Sequence, residues 1–342
     1  MASLTFAAVS KSFGPVRAVD GLDLTIADGE FFVILGPSGA GKTTSLRLLA
    51  GLEAPDKGRI LMDGQDVTGL YPADRDVAFV FQQYSLYPHL SVRDNIAFPL
   101  RAPGRRLPPD EIAAKVSEVA TLLHIENKLD RKATALSGGE MQRVAIGRAL
   151  VRKPRLFLMD EPMSSLDAKL REELRVELKR IQRRLGTTTV YVTHDQVEAL
   201  TLADRIAVME AGRIGQVGTP EHVYGHPNTL AVARRLGSPP MNILTPATLG
   251  ADAAAVPPAA AHVAIRPEDV RVSADAPSAA GHAFRAIEHS LVTRILVAEQ
   301  GALEVRALVR SDQPIHPGQD IRLSFPLEHC QFFDRNGDRL PA

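Results

Sequence analysis

Apolar and polar positions fall into two different patterns along the chain. Up to about residue 235, short wholly apolar runs alternate with longer segments whose apolar residues recur every three or four positions. Phe31–Leu35 and Leu156–Met159 are apolar throughout and bounded by glycine or acid, the pattern of strands buried on both faces. Residues 168–185 set Leu170, Leu174, Leu178, Ile181 and Leu185 on one helical face with Arg, Lys and Glu elsewhere, which predicts an amphipathic surface helix. Residues 107–129, opened by Pro108-Pro109-Asp110, predict another. Thr43–Ala50 and Glu140–Leu150 predict two more, the latter with Val144, Ala145, Ile146 and Ala149 at helical spacing. Strands alternating with helices predict an α/β domain over residues 1–235.

From about residue 236 the pattern changes. Gly237-Ser238-Pro239-Pro240 breaks the preceding helix, and Ala253–Ala261 is an Ala/Pro stretch that reads as a loop. Short alternating runs follow at His262–Arg266, Phe284–Ile287, Leu291–Val297, Leu303–Val309 and Ile321–Phe325, with Gln300-Gly301 and Pro317-Gly318 as turns. They predict a small all-β domain over 236–342, a barrel of the oligonucleotide/oligosaccharide-binding (OB-like) type. This stretch has nine Arg, no Lys, twelve Asp or Glu and four Phe, with no Tyr or Trp. A barrel for single-stranded nucleic acid needs excess positive charge and stacking aromatics. A regulatory or docking role is therefore expected.

Composition narrows the picture further. Among 342 residues, Lys plus Arg and Asp plus Glu are both 40, so no whole-protein field draws the chain to nucleic acid or an anionic membrane. The single cysteine, Cys330, excludes an internal disulfide framework and fits a reducing compartment. No signal-peptide pattern is visible and no apolar run approaches the ~20 residues of a membrane span. Any membrane role is expected to run through a partner.

The chemistry lies in the front domain. Gly36-Pro37-Ser38-Gly39-Ala40-Gly41-Lys42-Thr43, with Thr44 following, lies between an apolar strand and a helix, the context a phosphate loop requires. Its backbone N–H groups turn inward on a phosphate, Lys42 bridges β- and γ-phosphates, and the Thr43 hydroxyl binds Mg²⁺. Leu156–Glu161 is an apolar strand ending in two acids, with Asp160 near the metal and Glu161 as the general base that polarises the attacking water. Alone, that run would equally suit a strand ending in a solvated acidic turn. Ser137-Gly138-Gly139 opens the helix of Glu140–Leu150 and offers a hydroxyl and bare N–H groups to an anion, or simply caps the helix. A second phosphate grip with no use on the chain's own nucleotide points to pairing with another chain around ATP.

Leu136-Ser-Gly-Gly-Glu140, the phosphate loop and Leu156–Glu161 resemble, in order and spacing, the signature, Walker A and Walker B motifs of ATP-binding-cassette (ABC) ATPases across residues 4–235. The resemblance implies a P-loop cassette with a helical subdomain at about 83–150, followed by a TOBE-type OB-like domain. It implies head-to-tail pairing of two cassettes, so that Ser137, Gly138 and Gly139 of one chain close on the γ-phosphate held by the other. Gln82 resembles the Q-loop glutamine that senses Mg²⁺ and the transport subunit, His194 the switch histidine that contacts the γ-phosphate, and Asp167 the acid at the dimer seam. Phe13 stands where the family places an adenine-stacking aromatic, with a core position as the plainer alternative. Glu140 departs from the glutamine of many relatives and is expected to tune at most.

Tyr84–Ser91, Leu166–Leu170, Tyr191–Leu202, Ser238–Asn242 and Ile265–Asp269 resemble ATPases of bacterial carbohydrate importers of the maltose and glycerol-3-phosphate type. Between Ile287 and Val297, Glu-His-Ser-Leu-Val-Thr departs from those relatives. The implied partners are a second ATPase subunit (a copy or a paralogue), two transmembrane permeases docked through the Q-loop region and, indirectly, an external solute-binding protein. The implied place is the cytoplasmic face of the cell membrane, and the implied cargo a carbohydrate, polyol or glycerol phosphate. Polyamine, iron and sulfate importers share the front motifs. A soluble cassette ATPase of ribosomes or DNA is the rival, opposed by the single phosphate loop, the lack of a coiled-coil insertion and the absent basic surplus.

Overall fold

Residues 2–102, 107–273, 282–289, 293–300, 303–310, 313, 315, 316, 318 and 320–341 are described by a computed structural model. They form two compact units, Met1–Pro220 and Glu221–Ala342. Composition shifts at residue 236, whereas the units part at 220; the short helices between these positions belong with the rear unit.

The front unit contains two sheets. Strands β1 (Leu4–Phe13), β2 (Val16–Ile26), β4 (Lys57–Met62) and β5 (Gln65–Asp66) form an antiparallel sheet in the order β2-β1-β4-β5. The second sheet contains β3 (Phe31–Leu35), β6 (Val77–Val80), β7 (Leu156–Asp160), β8 (Thr188–Thr193), β9 (Arg205–Glu210) and β10 (Arg213–Gly218). Its order is β10-β9-β3-β8-β7-β6, parallel except for the edge strand β10. All residues of β3, β7 and β8 are buried, which is why β3 and β7 read as apolar runs and β8 as Val190-Tyr191-Val192 flanked by threonines.

The helices are α1 (Lys42–Ala50), α2 (Val92–Ala97), α3 (Pro109–Leu122), α4 (Gly138–Leu150), α5 (Ala168–Leu185) and α6 (Gln196–Leu202). In α5, Leu174, Leu178 and Ile181 are buried, each burial contributing about 1.5–3 kcal/mol. The helix expected over 107–129 stops at Leu122 instead. His124 adopts φ 54°, a 3₁₀ turn covers Glu126–Lys128, and Arg143 caps the helix end by donating to the Leu123 carbonyl at 2.9 Å. Leu123, Ile125 and Leu129 are nevertheless buried, so they extended the apolar periodicity beyond the helix itself.

The rear unit starts with α7 (Pro220–Gly225) and α8 (Leu230–Arg235) and continues in two antiparallel sheets. One is β11 (Asn242–Leu244), β12 (His262–Ile265) and β18 (Gln331–Phe333), in that order. The other holds β13 (Arg271–Ser273), β14 (His282–His289), β15 (Thr293–Gln300), β16 (Leu303–Arg310) and β17 (Asp320–Ser324), in the order β13-β17-β14-β15-β16. A 3₁₀ segment, Pro246–Ala255, takes in the start of the stretch expected to be loop. Ser290, Leu291 and Val292, where the sequence departs from importer relatives, lie outside the described residues, as do Gly301 and Pro317. Cys330 is half-buried.

Two motifs of this unit act as staples. Asn242 donates its amide to the Arg306 carbonyl and accepts from the Arg306 N–H, both at 2.8 Å. Arg266 is 4% exposed, donates to the carbonyls of Leu236 and Tyr224, and stacks on the Tyr224 ring at 3.8 Å. Tyr224 in turn donates to Glu268 at 2.5 Å, and burial pushes its phenol up to about 12. No described helix is long and apolar enough to cross a membrane.

Candidate nucleotide site

Parallel strands end at a common edge, and the loops leaving it converge. The loop after β3 runs from Gly36 to Gly41 and opens α1. Gly41 adopts φ 101°, and a Cβ there would stand 2.1 Å from the Ala18 carbonyl oxygen of β2. Its conformation and its surroundings both require glycine. At Gly36 a Cβ would stand 2.2 Å from the Met209 carbonyl. The backbone can thus approach neighbouring strands closely while its N–H groups open a helix, the geometry that cradles phosphate.

Two side chains of this loop reach the end of β7. Thr43 donates its hydroxyl to Asp160 Oδ1 at 2.8 Å. Lys42 is 4% exposed; its ammonium donates to the Pro37 carbonyl at 3.0 Å and pairs with Glu161 Oε1 at 3.4 Å. Glu161 adopts φ 44°, unusual for a residue with a side chain, and its N–H donates to the Val192 carbonyl at 3.0 Å. The backbone thereby turns the carboxylate into the edge, where Oε2 lies 2.9 Å from His194 Nδ1. Lys42, Glu161 and His194 thus form a continuous chain from the end of three adjacent strands.

Asp160 is 7% exposed, and burial raises its carboxyl above the ordinary range; the Thr43 hydroxyl opposes that shift and neighbouring Glu161 adds to it. A buried carboxylate, raised in pKa and backed by a hydroxyl, is a donor set for a small hard cation, and its oxygens suit Mg²⁺. Among the described residues no three His, Cys, Asp or Glu side chains form a cage. Mg²⁺ is usually held by one or two protein oxygens together with phosphates and water, a share that Thr43 and Asp160 could supply.

The other expected residues lie around this edge. Gln82 is exposed and follows β6 by two residues, beside the strand that ends in Asp160. No hydrogen bond joins it to the described site residues. Phe13 ends β1 at a tight turn, 46% exposed with the Lys11 ammonium 5.3 Å above its ring, so it is not a core residue. Asp167 caps α5, accepting from Leu170 N at 3.0 Å.

Ser137 caps α4, accepting from Glu140 N at 3.4 Å, while Glu140 Oε2 accepts from Ser137 N at 2.8 Å. Lys128 pairs with Glu140 at 2.8 Å and, with the Ser137 N–H, holds that carboxyl below its usual range. Ser137 is itself exposed, and a hydroxyl that accepts one bond keeps its own hydrogen for an anion. Gly139 sits against α5, where a Cβ would stand 2.2 Å from Leu170 Cδ2.

Comparison with known proteins decides the family. Residues 19–164 match the ABC transporter family, and residues 263–333 match the TOBE domain. The chain is 51% identical over 292 residues to the sn-glycerol-3-phosphate import ATP-binding protein UgpC of Rhizobium meliloti (strain 1021), covering 84% of this chain and 82% of that one. The chain belongs to the ABC transporter family. It is 56% identical over 250 residues to the trehalose/maltose import ATP-binding protein MalK of Thermococcus litoralis, covering 71% of this chain and 67% of that one. Among solved structures it resembles cbiO1 from Clostridium perfringens, at 30% identity and a TM-score of 0.60, over 65% of this chain and 90% of the other. A bacterial ABC transporter cassette solved as a dimer matches at 32% identity and 0.58, over 64% and 98%.

The ABC cassette, then, binds and hydrolyses ATP. Several of its supporting residues do not stand out in the sequence. Tyr84 donates to or accepts from Ser165 Oγ at 2.7 Å and abuts Gly138, tying the segment after Gln82 to the signature helix. Arg148 of α4 donates to the carbonyls of Ser85 and Tyr84 at 2.6 and 3.2 Å. Buried Asn95 accepts from Tyr87 N at 2.9 Å and donates to the Tyr87 and Ser91 carbonyls, which pins that loop. The Ser137/Glu140 capping box could have been recognised, since Ser-x-x-Glu before an apolar run is its signature. Asn95 carries no comparable signal.

Proposed function

We propose that this chain is the ATPase subunit of an importer for a carbohydrate, polyol or glycerol phosphate. The observation that carries the reading is the Lys42–Glu161–His194 chain beside the Thr43–Asp160 pair, at the edge of the sheet. The sn-glycerol-3-phosphate and trehalose/maltose import relatives indicate the cargo class. Lys42 exchanges its contacts with Pro37 and Glu161 for the β- and γ-phosphates. Thr43 and Asp160 would hold Mg²⁺, which when bound would neutralise charge developing on the phosphates. Glu161, released from Lys42, accepts a proton from the attacking water, and His194 faces the γ-phosphate. Gln82 reports on the metal side, and Phe13 stacks on the adenine ring.

The site is completed by a second ATPase subunit, whose Ser137–Gly139 segment closes on the γ-phosphate while its Asp167 lies at the seam. Closure is coupled to two membrane permeases through the segment after Gln82, because binding favours one of two states. The cassette then works at the cytoplasmic face of the membrane, and a solute-binding protein outside acts through the permeases. The test is reconstitution in vesicles with a pair of importer permeases and their binding protein. ATP-dependent uptake of labelled sn-glycerol 3-phosphate, maltose or trehalose, with ATPase stimulation by the loaded binding protein, is expected. Stimulation by a polyamine, iron or sulfate binding protein instead would overturn the cargo class; hydrolysis indifferent to any permease would overturn the importer reading.

A further inference from the structure

Behind Glu161 and His194 lies a second polar layer. Glu198 is 3% exposed, and its Oε2 accepts from the Tyr191 hydroxyl at 2.8 Å and the Thr193 hydroxyl at 2.6 Å. Thr193 Oγ1 also accepts from Asp195 N at 3.0 Å, and Asp195 Oδ1 caps α6 by accepting from Val197 N at 2.7 Å. The residues on both sides of His194 are therefore fixed by one buried carboxylate and one cap. Such a carboxylate is costly to bury without partners, and here two hydroxyls supply them.

Arg171 joins this layer to the start of α5, four residues beyond Asp167. Its Nη2 donates to the Leu166 carbonyl at 2.8 Å, and its Nη1 lies 3.5 Å from Asp195 Oδ2. Its buried Nε has no hydrogen-bond partner and lies 4.0 Å from Glu198 Oε1. A cavity of ≈ 30 Å³, room for about one water molecule, separates Glu161, Ser164, Arg171, His194 and Glu198. A planar guanidinium spans two such ends at fixed distance, which a flexible ammonium does not. An ordinary surface pair would leave both partners exposed, but Glu198 is buried and Arg171 is 30% exposed.

We infer that Arg171 is a positioning residue for hydrolysis: its guanidinium transmits the placement of the Leu166–Asp167 backbone to Asp195, and through Asp195 to the ring of His194. The inference rests on the proposed roles of Asp167 at the seam and His194 at the γ-phosphate. Arg171 contacts Leu166, Asp195 and Glu198 and none of the reacting groups, so its loss acts on turnover through their placement and not on ATP binding.

The test is a double-mutant cycle in the full-length chain, reading kcat and KM for ATP together with the thermal midpoint. Arg171→Ala is expected to lower kcat about tenfold, with KM for ATP within about twofold and the midpoint near its original value. Asp167→Ala is expected to lower kcat in the unaltered chain and to cause no further loss when Arg171 is already alanine. Losses that multiply would overturn the transmission role while leaving Asp167 at the seam. A silent Asp167→Ala in the unaltered chain would overturn the seam reading and transmission with it. If Arg171→Ala does not fold, the cycle is run with Arg171→Lys, which keeps the charge facing Asp195 and loses the fork; the same outcomes decide.

Discussion

Asp160 in the front unit and Arg266 in the rear one are both charged and both nearly buried, yet they sit in opposite circumstances. Asp160 has one hydroxyl donor and a carboxylate neighbour, and burial raises its pKa. Arg266 has both terminal nitrogens on carbonyls and an aromatic ring beneath its plane. One is under-matched by its own chain, as the proposed Mg²⁺ site requires; the other is already matched by its own chain. Residues that make a sequence recognisable therefore serve two purposes: at the sheet edge they hold charge in reserve, and in the β unit they hold the fold.

The contrast can be broken in four ways, and the largest effect is kinetic. Glu161→Gln keeps the shape at the end of β7 and removes the base, so turnover is expected to fall about 10²–10⁴-fold with ATP binding retained. Rapid hydrolysis by that variant, measured as phosphate release, would remove Glu161 from its role. Arg266→Ala should act on stability instead, lowering the unfolding free energy of the rear unit by about 3 kcal/mol in denaturant titrations while turnover per folded molecule holds.

Asp160→Asn is expected to do what few substitutions of a buried polar group do, and raise the thermal midpoint of the nucleotide-free chain by a few degrees. The sign follows from the raised carboxyl. Ionised Asp160 costs stability, and that cost appears only as pH rises above the ordinary value of 3.8. The gap between variant and original should thus be absent in acid and open towards neutral pH, and Mg²⁺-dependent turnover should be lost throughout. Glu140→Ala runs the other way and is smallest, costing about 1 kcal/mol at neutral pH. Its carboxyl is held below 4.5 by Lys128 and the Ser137 N–H, so that contribution is present above this value and disappears as pH falls through the folded one. Melting curves across pH check both.

How much was legible in the sequence depended on where each residue's partners lie. The strands β3 and β7 and the helix α5 were plain, because burial on both faces or on one stripe leaves a local period. The end of α3 was not: Leu123, Ile125 and Leu129 keep an apolar rhythm while the backbone turns over at His124. Glu140 was noticed for what it is not, a glutamine, whereas its partner three residues earlier shows what it does. Arg171 and Glu198 give no signal in the sequence, because Arg171 meets Asp195 24 residues away, Glu198 meets Thr193 across the loop between β8 and α6, and both residue types usually belong to solvent.

Gly139 has a consequence for genetic work on the paired ATPase. Its missing Cβ is already claimed by Leu170 of the same chain. Any side chain there meets the end of the Leu170 side chain, which must turn aside within the subunit that bears it, so a Gly139 allele disturbs its own subunit as well as any partner. Complementation between altered subunits, the usual way to ask which site a motif serves, would then mix a repacked α4–α5 contact with a catalytic defect. Ser137, exposed at the tip of its helix, is the position at which such an allele separates the two.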